Sequence, residues 1–102
     1  MITLLIRYTV DPRKLSEFEA YAKTWTAMVP RHGGALVGYY LPTKIAGSTN
    51  IAYALIQFPS LAVYEKYRDG LMSDPEVIKN IEAVESCGAL LIEERSILRQ
   101  VS

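Results

Sequence analysis

One cysteine, Cys87, and one histidine, His32, occur in 102 residues. A lone thiol cannot close an internal disulfide, and together with one imidazole it cannot build the cage that holds structural zinc. No metal site and no cofactor is expected. Charge of one sign is also missing: eleven Lys plus Arg offset eleven Asp plus Glu. That removes the basic footprint of a nucleic-acid or anionic-membrane binder. No apolar run approaches the ~20 residues that span a bilayer. The run Ile2–Val10 is interrupted by Arg7 and followed by Asp11, Pro12, Arg13 and Lys14. It lacks the basic flank, apolar stretch and small-residue cleavage site of a secretory signal. A cytoplasmic location is therefore expected, and a free thiol suits a reducing compartment. No phosphate-binding glycine loop, nucleophile elbow, HExxH or Walker sequence is present, so no motif declares a chemistry.

What is present is ordinary globular composition, 50 % hydrophobic and 22 % charged, in a length that suits one domain over residues 1–102. Ile2, Leu4, Ile6, Tyr8 and Val10 alternate with Thr3, Leu5, Arg7 and Thr9, which predicts a strand. Asp11 is placed to cap a helix and Pro12 to occupy its first turn. Leu15, Phe18, Ala22, Trp25 and Val29 then fall on one helical stripe. Pro30 and His32-Gly33-Gly34 predict that this helix ends near Val29. Residues 35–41 and 50–58 predict two strands joined by a short loop. In the latter strand Ile51, Tyr53 and Leu55 share one face, and Ala52, Ala54, Ile56 and Phe58 the other. Ser60 predicts the start of a helix with Leu61, Tyr64, Arg68 and Leu71 along one side. Asp74-Pro75 starts another, with Val77, Ile78, Ile81 and Val84 as its stripe and Cys87-Gly88 as its stop. Leu90–Arg99 is the last predicted strand.

The order β-α-β-β-α(α)-β, with right-handed crossovers, predicts an α+β, ferredoxin-like fold. It has a four-stranded antiparallel sheet with the helices on one face. Those helices leave the other face open, yet the third strand is apolar on both sides. At ~25 cal/mol per Å2, an uncovered apolar face of several hundred Å2 is a strong drive to associate. The prediction is a homodimer, or a multiple of it, packed sheet against sheet, with Arg7, Tyr53 and Leu55 at the interface. Arg7 should find a carboxylate there, Glu93 or Glu94; anion binding is the alternative role.

Arg31-His32-Gly33-Gly34-Ala35-Leu36-Val37-Gly38-Tyr39-Tyr40, Asn50, Ser60-Leu61-Ala62 and Asp74-Pro75 together resemble the NIPSNAP family of the dimeric α+β barrel superfamily. The resemblance spans nearly the whole chain. It implies a ferredoxin-like protomer whose sheet packs on that of a second copy. Superfamily relatives include cofactor-free monooxygenases, haem-degrading enzymes and isomerases, with sites between sheet and helices. The sequence departs from the family where polar residues are common. Leu4 and Ile6 stand where Glu and Arg are frequent on the first strand, leaving Tyr8. Ala54 and Ile56 stand where His and Trp are frequent on the third. A mostly apolar pocket is implied.

The candidate ligand-binding residues are Tyr8, Trp25, Ala54 and Asn50. Trp25, on a buried stripe, is either a packing anchor or a ring lining the pocket. His32 is the one candidate for catalysis, since an imidazole can exchange protons near neutrality. Beside Gly33-Gly34 it can equally serve the carbonyls of a helix end. Cys87, at a helix end with no CxxC partner, is read as structural. Two of the seven tyrosines, Tyr39 and Tyr40, point to opposite sheet faces. The expected function is binding of a small hydrophobic organic molecule between sheet and helices. The alternatives are a non-catalytic dimerising interaction or scaffold module, and a cofactor-free monooxygenase or isomerase.

Overall fold

The two-residue period of the first strand decides which side of the molecule is dry. The structure, a computed structural model, describes residues 1–101. In β1 (Ile2–Val10), Leu4, Ile6, Tyr8 and Val10 are buried, while Arg7 on the other face is exposed. The remaining elements are α1 (Leu15–Arg31), β2 (Ala35–Tyr40), β3 (Ile51–Phe58), α2 (Leu61–Met72), α3 (Pro75–Cys87) and β4 (Leu90–Arg99). The strands form one antiparallel sheet in the order β2-β3-β1-β4, the ferredoxin-like arrangement. The central strands, β3 and β1, carry apolar residues on both faces.

Register sets how the core fills. Ile6 faces Ala54 and Tyr8 faces Ala52 across the β1–β3 ladder, so large side chains lie beside small ones. Above them α1 contributes Phe18, Tyr21, Ala22, Trp25, Met28 and Val29. The Tyr8 and Phe18 rings meet edge-on at 5.0 Å, and Phe58 and Tyr67 at 4.8 Å, the geometry favoured by aromatic quadrupoles.

Several local expectations are corrected. Asp11 does not cap α1, which begins at Leu15 after Lys14, without a side-chain cap. Asp11 instead folds a turn, accepting from the Arg13 backbone N–H at 3.0 Å while its carbonyl accepts from Lys14 at 2.8 Å. Its own N–H donates to the Ala89 carbonyl at 2.8 Å, and the Lys14 ammonium donates to the Cys87 carbonyl. These bonds hold the turn against the α3–β4 junction, too far back in the chain for Asp11 to reach the helix start. Helix α1 runs through Pro30 to Arg31. In the last turn a missing N–H removes one hydrogen bond rather than breaking the helix. On α2 the buried residues are Tyr67 and Leu71, whereas Leu61 and Arg68 are exposed. Ile78 of α3 is exposed as well. The caps predicted for these helices are present. Ser60 Oγ accepts from Val63, the Asp74 carboxylate accepts from Glu76, and Gly88 at φ +73° closes α3.

Gly34 joins α1 to β2 where the backbone passes close to the core. A Cβ here would lie 2.9 Å from Val29 Cγ1 and 3.0 Å from Ile56 Cγ2. Gly34→Ala is expected to destabilise by about 1–3 kcal/mol through overpacking. Denaturant titration of both forms checks this; an unchanged midpoint would show that the neighbours yield freely.

Candidate functional site

Edge strand β4 shapes a place where the helix layer leaves space over the sheet. Its alternation sets Glu93 opposite Tyr8 and Arg95 opposite Ile6, which puts two charges on the helix-facing side. From Leu91 onward β4 is exposed. Between these charges and the underside of the helices lies a hollow of about 230 Å3, walled by Trp25, Leu71, Ile81, Val84, Leu90 and Arg95 among others. A second space of about 20 Å3, sharing Tyr21, Trp25, Leu71 and Arg95 with the first, reaches inward to Tyr8, Tyr39 and Tyr67. It is large enough for one water.

The inner end is aromatic and rich in hydrogen-bond donors. The Tyr8 and Tyr39 hydroxyls lie 3.0 Å apart, either one donating to the other. Their rings stack with centroids 6.0 Å apart. The Trp25 indole N–H is buried and has no hydrogen-bond partner. Tyr21 is near enough for this N–H to favour its phenolate, but no hydrogen bond forms between them. Burial pushes the Tyr21 phenol up to about 12. It lifts Tyr8, Tyr39 and Tyr67 further, beyond any working pH. These phenols stay neutral, so they can donate and accept hydrogen bonds but cannot act as phenolate bases.

The mouth is charged. Glu93 accepts from Arg95 Nε at 2.7 Å and pairs with its Nη2 at 2.6 Å. Burial pushes the Glu93 carboxyl up while Arg68 pulls it back; the Arg95 contact acts in the same direction as Arg68. Among the described residues no group of His, Cys, Asp and Glu is arranged to hold a metal ion.

Tyr8 and Trp25 both line the small inner space, and of the two only Trp25 also walls the hollow. Ala54 is fully buried in the sheet opposite Ile6 and Tyr39 and is not part of either wall. Asn50 lies just before β3, where its carbonyl accepts from the Val10 N–H at 2.9 Å. His32 is at the far end of α1. Its Nε2 is 2.7 Å from Asp74 Oδ2, and Arg31 reaches Asp74 and Glu76 at 3.0 Å each. A Cβ at Gly70 would come within 2.8 Å of His32 Nδ1, so the ring sits against the backbone of α2. The imidazole ties the end of α1 to the cap of α3 and lines neither space. Cys87 Sγ donates to the Val84 carbonyl at 3.4 Å.

On the open face, Arg7 donates to Glu94 Oε2 at 3.1 Å and faces Tyr53 across the ladder; both neighbours hold the guanidinium charged. Leu55 opposes Leu5 there.

Sequence reasoning missed Tyr21, Tyr39, Tyr67, Leu71, Glu93 and Arg95 as wall residues. Pairing β4 against β1 would have assigned Glu93 and Arg95 to the helix side. Tyr39 was harder to place, because the β2 register shifts between Leu36 and Gly38.

The Asp74 cluster has a defined pH signature. The hydrogen bond from His32, with help from Arg31, holds the Asp74 carboxyl below its ordinary range. A depressed carboxylate stabilises the fold above its unfolded pKa, ~3.9, and that contribution is lost as pH falls through the folded value. Asp74→Asn keeps a capping side chain and removes the charge. It should melt below the parent at pH 7, with the gap closing under strong acid. A gap that stays constant with pH would assign the effect to capping alone.

The chain matches the NIPSNAP family model over residues 3–102. None of the curated proteins matches the sequence. Among solved structures, it resembles a NIPSNAP family protein with unknown function from Agrobacterium tumefaciens, with a TM-score of 0.84 at 20% identity, covering 98% of this chain and 87% of that one. A NIPSNAP-like domain protein from Burkholderia xenovorans gives 0.80 at 23% identity, covering 99% and 85%. SnoaB, a cofactor-independent oxygenase from Streptomyces nogalater, gives 0.67 at 17% identity, covering 99% and 93%. At these identities the structural neighbours speak for the fold, and the family model for membership: the chain belongs to the NIPSNAP family.

Proposed function

We propose that the protein works as a homodimer and binds a small, largely apolar organic molecule in the hollow beside Trp25. The observation that carries the binding reading is the hollow itself, about 230 Å3 with Trp25, Leu71, Ile81, Val84 and Leu90 in its walls. Concave, mostly apolar spaces with a few polar groups are the usual form of small-molecule sites. Ile81→Trp should fill the space from α3, where Ile81 is only half-buried. A thermal-shift screen of small ring compounds tests this. Compounds that raise the parent melting temperature should fail with Ile81→Trp, given that saturation to one hundred times Kd stabilises by ~2.7 kcal/mol. No hits with the parent would favour an interaction module without a ligand. The small inner space, about 20 Å3, supports that second reading.

An enzymatic version, a cofactor-free monooxygenase or isomerase, draws on the likeness to SnoaB, a cofactor-independent oxygenase. In this chain the acid–base group at the hollow would be Glu93, whose carboxyl is raised by burial.

Support for the dimer comes from the open sheet face. Tyr40, Tyr53, Ile92 and Leu98 are between 40% and 54% exposed there, and Leu5, Ile51 and Leu55 are half-buried. Exposed as it is, the Arg7–Glu94 pair adds little to an isolated protomer. Covered by a second sheet, it would satisfy a buried arginine. Leu55→Asp should give a monomer or unfolded chain in sedimentation at micromolar concentration, where the parent runs as a dimer or a multiple of it. A monomeric parent overturns the dimer.

A further inference from the structure

Two hydrogen-bond donors are unused beside the small inner space, which shares Trp25 with the hollow. The Trp25 indole N–H is the one buried side-chain nitrogen or oxygen, among the described residues, without a partner, although the residue is only 6% exposed. The Tyr8 and Tyr39 phenols carry two protons between them and use one in their mutual bond. Buried donors are nearly always satisfied, and an unsatisfied one marks a missing acceptor. The four charged residues at the mouth, Arg68, Arg95, Glu85 and Glu93, balance each other, so nothing there selects an anion.

We propose that the hollow selects a neutral, one- or two-ring compound carrying a carbonyl oxygen, with Trp25 Nε1 donating to that oxygen and the spare phenol hydrogen of the Tyr8–Tyr39 pair as the second donor. The proposal rests on the binding reading above. Its size limit follows from the volume, since 230 Å3 is about eight water volumes at ~30 Å3 each. The indole N–H can only donate, so its missing partner must be an acceptor; a carbonyl oxygen supplies one and has a second lone pair for the phenol pair.

Indane and indanone share a skeleton and differ by one carbonyl, so they serve as probes. Trp25 is the single tryptophan, so its indole N–H gives one resolved NMR resonance. Titration calorimetry on the parent should show indanone binding at least as tightly as indane, although bulk water solvates the ketone better. The indole resonance should move downfield with indanone and not with indane. In Trp25→Phe both compounds lose part of the indole wall, and indanone should lose about tenfold more than indane, the worth of one hydrogen bond. Equal losses for both compounds, or an indole resonance that responds alike to both, would overturn the proposal and make Trp25 a packing residue. An indole resonance unmoved by bound indanone would overturn it too, leaving water as the N–H partner. The indole signal decides the matter in the parent even if Trp25→Phe folds poorly. Absence of binding by either compound, in contrast to binding without discrimination, would sink the binding reading and this inference with it.

Discussion

The pairing of β1 with β3 on one side and β4 on the other is the constraint from which the rest follows. Because side chains alternate with a period of two, one register choice sends Leu4, Ile6 and Tyr8 toward the helices and Leu5 and Arg7 away from them. A slip of one residue would bury Arg7 among Phe18, Trp25 and Met28 and expose the Tyr8 ring. That alternative is far outside the stability of a domain of this size. The same register aligns Tyr8 with Glu93 and Ile6 with Arg95, and so fixes the charges at the mouth of the hollow. It also aligns Arg7 with Tyr53 and Glu94 on the open face. Site and proposed interface are two consequences of one strand pairing.

The division of labour between the faces explains where the space lies. Toward the helices, small Ala52 and Ala54 sit opposite Tyr8 and Ile6, and the space is used for packing. The vacancy instead opens farther out, where β4 extends past the helices. A hollow at a sheet edge is roomier and wetter than one in the core, which accounts for an apolar wall beside Glu93 and Arg95. The neutral phenols deeper in follow from the same gradient, since burial disfavours charge more strongly with distance from the mouth.

Much of the fold was legible in the sequence. The alternation of residues 2–10, the stripe from Leu15 to Val29, the caps at Ser60 and Asp74 and the stop at Gly88 each carry a local physical signal. The resulting order of elements leaves few topologies. Less of the site was legible. Trp25 and Tyr8 stood out as aromatics on apolar faces, but the wall opposite them comes from α2, α3 and β4, which are distant in sequence. Arg68 shared a helical period with Leu71 and yet lies exposed at the mouth of the hollow, because Tyr67 takes the core position through its contact with Phe58. Asp11 resembled a cap and became a turn because its backbone bonds to Ala89, a contact no local pattern encodes.

The central claim is that the edge of the helix–sheet layer holds an open, donor-lined hollow rather than a collapsed seam. A high-resolution crystal structure of the protein purified without added ligand tests it most directly. The account predicts the space between Trp25, Leu71 and Ile81 to persist, with an ordered oxygen atom within hydrogen-bond distance of Trp25 Nε1. Side chains closed across that space, with the indole N–H bonded to the Tyr21 hydroxyl, would contradict it.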